Sequence, residues 1–298
     1  MLKDLIKPPF ATYDVVVYFG GGLFSLPFIY RYILEPLAIR APSFIVNEFD
    51  SVSLEIVRIL TIVTFVYVLG HLLAYLSSQL VEKALDRFLG KVSTAILVSV
   101  STAKALRNQK LRDFFKDRTR RIKSEGAIIS SIVRGLFHFP NFIAYFIMYS
   151  FGIFGYFDSR LPQKALERVE SVYTTIVIPG ELLTSDKKWF KSLEYFVINR
   201  IPMAGPRMYN YLVIAGLFRS LSFVFLISCW WMLLYLGCYM LFDTWPIQSA
   251  ENYSGQGAGI FEFFTLSILS VFCLVAYIKF QRRYAEEAML ALAFSKDP

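Results

Sequence analysis

The chain alternates long apolar runs with charged stretches. Two of the runs, Ile59–Leu80 and Ser220–Phe242, contain no Asp, Glu, Lys or Arg. A helix that crosses the ~30 Å hydrocarbon core of a bilayer needs about 20 mostly apolar residues. Both runs are therefore predicted to be transmembrane helices.

Two shorter apolar runs extend this pattern. Val15–Tyr30 and Phe263–Ile278 are each bounded by charged residues, and each is long enough to span if its flanking acidic residue lies at the membrane surface. The first run contains three consecutive glycines and Pro27, which membrane helices tolerate when neighbouring helices satisfy the freed backbone groups. The sequence thus predicts an all-α, multi-pass integral membrane protein with about four transmembrane helices and a helical cytoplasmic domain.

A fifth apolar run, Gly135–Phe157, is ambiguous. It is uncharged and long enough to span, yet His138, Pro140 and Asn141 occupy its first turns. We expect it to re-enter the membrane or to form a buried helix of the cytoplasmic domain, and a fifth span is the alternative.

The distribution of charge favours the four-span topology. Lys and Arg outnumber Asp and Glu by twelve to five over residues 81–126 and by nine to six over residues 158–219, whereas residues 243–262 contain no Lys or Arg. Cytoplasmic loops of membrane proteins carry an excess of Lys and Arg. Both flanks of residues 135–157 and both termini are therefore predicted to be cytoplasmic.

Composition supports the same class of protein. Of the 298 residues, 56% are apolar and 18% are charged, and the mean hydropathy is +0.50, whereas soluble domains average about 25% charged residues. The positive-inside pattern accounts for the net charge of +8. We expect the cell membrane as the location, with the bacterial inner membrane favoured. The predicted order is a first transmembrane hairpin (9–80), a basic helical cytoplasmic domain (81–207), a second transmembrane hairpin (208–280) and a cytoplasmic tail (281–298).

Helices are predicted throughout the cytoplasmic domain. An amphipathic helix continues from the second span through residues 81–96 with no breaker before Gly90. Further helices are expected over residues 106–123, from about residue 161 to Pro179, and over residues 185–199. The prolines and glycine of residues 201–207 predict a loop.

His71 lies near the middle of the run Ile59–Leu80. A titratable group at membrane depth indicates a functional site by default, although a neutral imidazole bonded to a neighbouring helix is the alternative. Ser77, Ser78 and Gln79 follow it, and they are expected to line a wet cavity or to hold helices together. Snorkelling to the membrane surface is the predicted role of Arg219.

A basic cluster in the predicted cytoplasmic domain is a candidate ligand for anionic headgroups or other phosphates. Nucleic acid is the less favoured ligand because no aromatic platform is interleaved with the cluster. The members of the cluster are Lys110, Arg112, Lys116, Arg118, Arg120, Arg121 and Lys123.

Two other sets of residues suggest packing or docking. Small residues at every third position of the last span predict close helix packing, within the chain or between subunits; they are Ser267, Ser270, Cys273 and Ala276. An aromatic-rich segment with Trp189, Phe190 and Phe196 is expected either to dock a soluble partner or to form the domain's own core.

No catalytic or metal-binding motif is present. The sequence contains no GxSxG, HExxH, Walker or GxGxxG pattern, and its three cysteines lie in apolar runs. No cofactor, metal or catalytic residue is therefore predicted, and an enzyme is the less favoured class of protein.

Three functions are compatible with the sequence. The favoured one is an oligomeric, pore-forming or bilayer-perturbing effector, for example in bacterial antiviral defence, that is gated by its cytoplasmic domain. The second is a membrane anchor or scaffold that recruits a soluble cytoplasmic protein. The third is a lipid-modifying membrane enzyme that would use Glu181, Asp186, Arg200 and Arg207.

Overall fold

The computed structural model describes residues 11–34, 52–88, 91–98, 132–133, 135–150, 161–177, 189–201, 203–242 and 256–294. Within these ranges the protein is all-helical. The α-helices of six or more residues are α1 (Gly21–Ile29), α2 (Val52–Ser77), α3 (Lys83–Phe88), α4 (Val92–Val98), α5 (Phe142–Ser150), α6 (Gln163–Val172), α7 (Trp189–Arg200), α8 (Ala204–Phe242) and α9 (Gln256–Phe294).

Wider π-helical turns join or extend several of these helices. Asp14–Gly20 and Tyr30–Leu34 flank α1, Ser78–Glu82 joins α2 to α3, and Tyr173–Val177 extends α6. The helical structure therefore runs unbroken from the start of α2 to the end of α3, as the absence of a breaker before Gly90 predicts.

Three helical stretches of the described chain are, by length and composition, long and apolar enough to cross a membrane, which supports the prediction of a membrane protein. They are Val52–Asp86, Ala204–Leu234 and Gly259–Phe294. A shorter apolar helix covers Phe139–Met148. The first predicted span, Val15–Tyr30, lies within the helical stretch of α1 and its flanking π turns.

One sequence prediction for the helices changes, and another is not tested. The loop expected over residues 201–207 is wrong in its second half, because α8 already begins at Ala204. Pro206 is accommodated there since the first N–H groups of a helix have no intrahelical acceptor. The helix expected over residues 106–123 lies outside the described residues.

The chain divides into two compact units. Unit 1 comprises residues 1–82, 133–147 and 216–275, and unit 2 comprises residues 83–132, 148–215 and 276–298. The predicted tail therefore contributes to unit 2, where the last turns of α9 supply buried side chains.

Unit 1 depends on a very close approach of α2 to α1 and to the π turn that precedes α1. A methyl group built on Gly70 would overlap the carbonyl oxygen of Tyr18, and one on Gly22 would overlap the carbonyl oxygen of Val66. The two backbones are thus in direct contact, which only glycine permits at these positions. Small residues give membrane helices this kind of van der Waals contact in place of a hydrophobic driving force.

Unit 2 has its own apolar core, built by α6, α7, the start of α8 and the end of α9. Buried residues recur every fourth position of α7, at Trp189, Leu193 and Val197. They pack with fully buried Tyr173 and Met289. The pattern of four-residue spacing is that of an amphipathic helix facing a core.

Replacing Gly70 with Ala should destabilise unit 1. The added methyl group cannot avoid the backbone of Tyr18, so we expect the free energy of unfolding to fall by about 2 kcal/mol or more. Thermal unfolding of the purified protein in detergent would measure this. Gly205→Ala is the control, because no atom lies within 4 Å of the added carbon, and its effect should stay within about 1 kcal/mol. Equal stability of the two variants would contradict the close contact.

Candidate functional site

His71 belongs to an aromatic cluster on α2. Its imidazole stacks on the ring of Tyr18, with centroids 3.5 Å apart and an interplanar angle of 21°. The ring of Tyr67 meets it edge-on, with centroids 4.6 Å apart. Tyr67 lies one helical turn before His71 on the same helix, and the close approach of α1 and α2 brings Tyr18 beside both.

The cluster is part of a polar stripe that α2 exposes. Thr64, Tyr67, His71 and Tyr75 follow each other at spacings of three and four residues, so they share one face of the helix. All four side chains are exposed, Tyr67 to 37% and Tyr75 to 63%. We call these four residues the polar stripe.

The face of α2 that packs within unit 1 lies beside the polar stripe. Its buried residues are Val66, Gly70, Leu73, Ala74 and Ser77. The His71 side chain points about 100° around the helix from Gly70, so it lies at the edge of the packed face, against the Tyr18 ring. Neither the imidazole nor the Tyr67 hydroxyl has a hydrogen-bond partner among the residues that the structure describes, whereas the Thr64 hydroxyl donates to the carbonyl of Leu60 at 2.8 Å.

Ser77 and Ser78 do not extend the polar stripe but contribute to a separate group around Arg219. Arg219 forms an ion pair with Glu82, and its Nε donates to the Ser77 hydroxyl at 3.3 Å. Ser78 donates to the same Glu82 carboxylate at 3.0 Å. Ser77 is fully buried and the Arg219 side chain is only 13% exposed. The Arg219 cluster, as we call these four residues, therefore binds α2 and the following π turn to α8.

Sequence reasoning missed this cluster. Arg219 was expected to snorkel to the membrane surface, yet its guanidinium is held inside unit 1 by three acceptors, including the carbonyl of Ala74 at 3.4 Å. The available sequence signal was the acidic residue Glu82, which follows Ser77 and Ser78 by a few positions. Arg219 is 137 residues away from Glu82 in sequence, so no local pattern connects them. Gln79, expected to act with the serines, is partly buried.

The ambiguous run 135–157 contains a helix break that other helices satisfy. A 3₁₀ turn at Phe139–Asn141 separates α5 from the preceding residues. Trp230 donates to the carbonyl of Phe137 at 2.7 Å, and Ser267 donates to the carbonyl of Pro140 at 3.1 Å. Irregular backbone is tolerated where other groups of the protein satisfy its buried polar atoms, so these bonds explain how Pro140 is accommodated.

Polar side chains at the break form hydrogen bonds with residues of neighbouring helices in unit 1. Asn141 is fully buried and donates to the Ser270 hydroxyl at 2.8 Å. Ser270 and Ser222 exchange hydroxyl-to-carbonyl bonds at 3.0 and 2.9 Å. His138 has its Nε2 3.2 Å from the carbonyl of Leu80. Ser267 and Ser270, predicted to pack helices closely, thus join α9 to its neighbours within the chain; Cys273 and Ala276 of the same set are partly buried.

The remaining candidate residues fall in unit 2 or outside the described ranges. Trp189 is buried in the core of unit 2, and Phe190 and Phe196 are partly buried against that core. Docking of a soluble partner at this segment stays a prediction. The whole basic cluster of residues 110–123 lies outside the described residues, as do Glu181 and Asp186.

Among the residues that the structure describes, no group of three or more His, Cys, Asp or Glu side chains is placed to hold a metal ion. Comparisons of the chain with protein families, curated proteins and solved structures find no match.

Breaking the Arg219 cluster should destabilise the protein more than breaking an exposed ion pair. Arg219→Met leaves the Glu82 carboxylate without its partner in a mostly apolar setting. We expect a loss of about 1–3 kcal/mol, below the value for fully buried pairs because Glu82 is one third exposed. The same substitution at Arg207, which pairs with Glu287 at 3.4 Å and is 66% exposed, should cost less than about 1 kcal/mol.

Unfolding of both variants in detergent measures the difference. A double variant, Arg219→Met with Glu82→Met, removes both charges and should recover part of the lost stability. Equal losses for Arg219→Met and Arg207→Met would show that the Arg219 cluster does not hold the helices together.

Proposed function

We propose that the protein is an oligomeric membrane protein whose copies meet across the polar stripe, and that the assembly acts as a pore-forming or bilayer-perturbing effector. The observation that carries this proposal is the exposed position of His71 and Tyr67 on a helix long and apolar enough to cross a membrane.

The physical reason is the cost of polar groups in hydrocarbon. An imidazole or a hydroxyl without a hydrogen-bond partner is costly in lipid, and ionisable residues in membrane helices almost always face a bundle interior or a water-filled cavity. A second copy of the chain supplies such cover without any other component. In a two-fold symmetric dimer the same stripe covers itself, because each copy contributes the same surface to the interface.

The stripe also provides what a water-filled path needs. Hydrogen-bonding side chains along one face of a helix hydrate a pore, whereas an apolar constriction closes it by dewetting. Thr64, Tyr67, His71 and Tyr75 cover eleven residues of rise, about 16 Å of the bilayer core.

The proposed topology has four spans, the fourth being the helical stretch around α1, with both termini and the basic segments cytoplasmic. The location we favour is a bacterial inner membrane. The continuous helix from Val52 to Phe88 would connect the polar stripe with the cytoplasmic part that gates it. Support comes from the distribution of Lys and Arg along the chain.

A cysteine at position 71 should cross-link to the same position of a second copy. The three native cysteines are first replaced, and His71→Cys is then oxidised in membranes. We expect a disulfide-linked dimer on a non-reducing gel. Leu72→Cys is the matched control, since Leu72 is also exposed, to 51%, but points about 100° away around the helix. Equal cross-linking of both variants, or of neither, would contradict assembly across the stripe.

Loss of the polar groups should reduce ion flux. For protein reconstituted into liposomes, Tyr67→Phe combined with His71→Leu is expected to lower the flux of small ions by about tenfold or more, because the path becomes apolar. Phe65→Leu, a change at an exposed apolar position off the stripe, should leave the flux unchanged. If liposomes that contain the wild-type protein remain impermeable to small ions, the pore is refuted. Cross-linking at position 71 would in that case still support an oligomer that does not conduct ions.

A further inference from the structure

Unit 2 contains an open groove that the proposed pore does not use. It lies between the π turn Tyr173–Val177 and α7, and its cavity volume is about 730 Å³. Volumes of ~300–1,000 Å³ are typical of sites that hold an organic molecule. The lining residues are Ile176, Val177, Lys191, Ser192, Tyr195, Phe196, Asn199 and Arg200.

The lining has two chemical parts. Ile176, Val177 and Phe196 form an apolar wall. Lys191 and Arg200 are both exposed and make no ion pair with a residue that the structure describes. Among the described residues that line the groove, none carries a carboxylate. The carboxylate of the one acidic residue in α7, Glu194, accepts a hydrogen bond from Tyr284 in the core instead.

The spacing of the cations shows that the groove is longer than a small free anion. Lys191 and Arg200 are nine residues apart on α7, about 14 Å along the helix axis. A free phosphate ion is much shorter than this groove and would leave the apolar wall bare. A ligand that fills the groove therefore combines an anionic head with an apolar body.

The structure assigns the groove to an anionic phospholipid. Lys191 and the neighbouring Ser192 hydroxyl are an ammonium and a hydroxyl donor for its phosphate. The apolar wall then receives the glycerol and acyl part. Arg200, at the far end of α7, attracts the same anion from the membrane surface.

Unit 2 also has access to the source of this ligand. Only residues 201–203 separate α7 from α8, the helix that begins the candidate span Ala204–Leu234. Three residues of extended chain reach at most about 11 Å. The groove is thus close to the first turns of a helix that is long and apolar enough to cross a membrane, where phospholipid is abundant.

Native mass spectrometry of the full chain in detergent tests this assignment. The protein is titrated with dioleoyl phosphatidic acid, with dioleoyl glycerol, which lacks the phosphate, and with inorganic phosphate. We expect saturable binding of one phosphatidic acid, at least tenfold tighter than dioleoyl glycerol because the charged hydrogen bonds are lost without the phosphate. Inorganic phosphate should not displace the lipid.

Two variants that each remove two positive charges distinguish binding in the groove from general attraction of an anionic lipid to a basic protein. Lys191→Gln with Arg200→Gln should weaken phosphatidic acid binding about tenfold. The control removes two other exposed cations of unit 2, through Lys164→Gln and Arg207→Gln, and should change binding less than about twofold. Both variants are checked for unchanged thermal unfolding.

Two outcomes would overturn the assignment. Equal binding by the groove variant and the control variant would show that the lipid adheres elsewhere. Displacement of phosphatidic acid by millimolar inorganic phosphate would identify a site for free anions instead of a lipid. Neither outcome bears on assembly across the polar stripe, which the cross-linking measures separately.

Discussion

A polar group inside a hydrocarbon layer must find a partner within protein, and this constraint organises unit 1. The helix break at residues 138–141 is stable because Trp230 and Ser267 donate to its free carbonyl groups. The Arg219 guanidinium is stable because Glu82, Ser77 and a backbone carbonyl surround it. His71 is the exception, since its imidazole is exposed and has no hydrogen-bond partner among the described residues, and the proposed oligomer extends the same constraint to it.

The sequence predicts the class of fold well, because the apolar runs are strong signals of length and composition. It locates the apolar parts of α2, α8 and α9, but α8 begins sixteen residues before the predicted run and α9 ends sixteen residues after it. It cannot predict which residues meet across long separations. Glu82 and Arg219 are 137 residues apart, and Asn141 and Ser270 are 129 apart. These pairs are set by how helices pack, which no local pattern records.

For the candidate functional residues, too, the sequence identifies the residue but not its contacts in the fold. His71 was identified from its depth in an apolar run, but its exposure depends on Gly22 and Gly70, which fix the adjacent face of α2 against α1 and the π turn before it. Trp189 was singled out for its aromatic neighbours, and it lies in the core of unit 2. The groove beside it was not anticipated, because its two cations are nine residues apart and its apolar wall comes partly from another helix. Packing within the chain thus decides which of the residues singled out in the sequence remain exposed to a partner.

The central claim is that protein or water, not lipid, covers the polar stripe. Spin labels in reconstituted bilayers measure this directly through their collision rates with molecular oxygen, which concentrates in lipid. A label on Thr64→Cys, on the stripe, should collide with oxygen much less often than a label on Phe65→Cys, which is equally deep and points about 100° away. The claim is contradicted if both labels collide with oxygen at the same high rate, because the stripe would then face lipid.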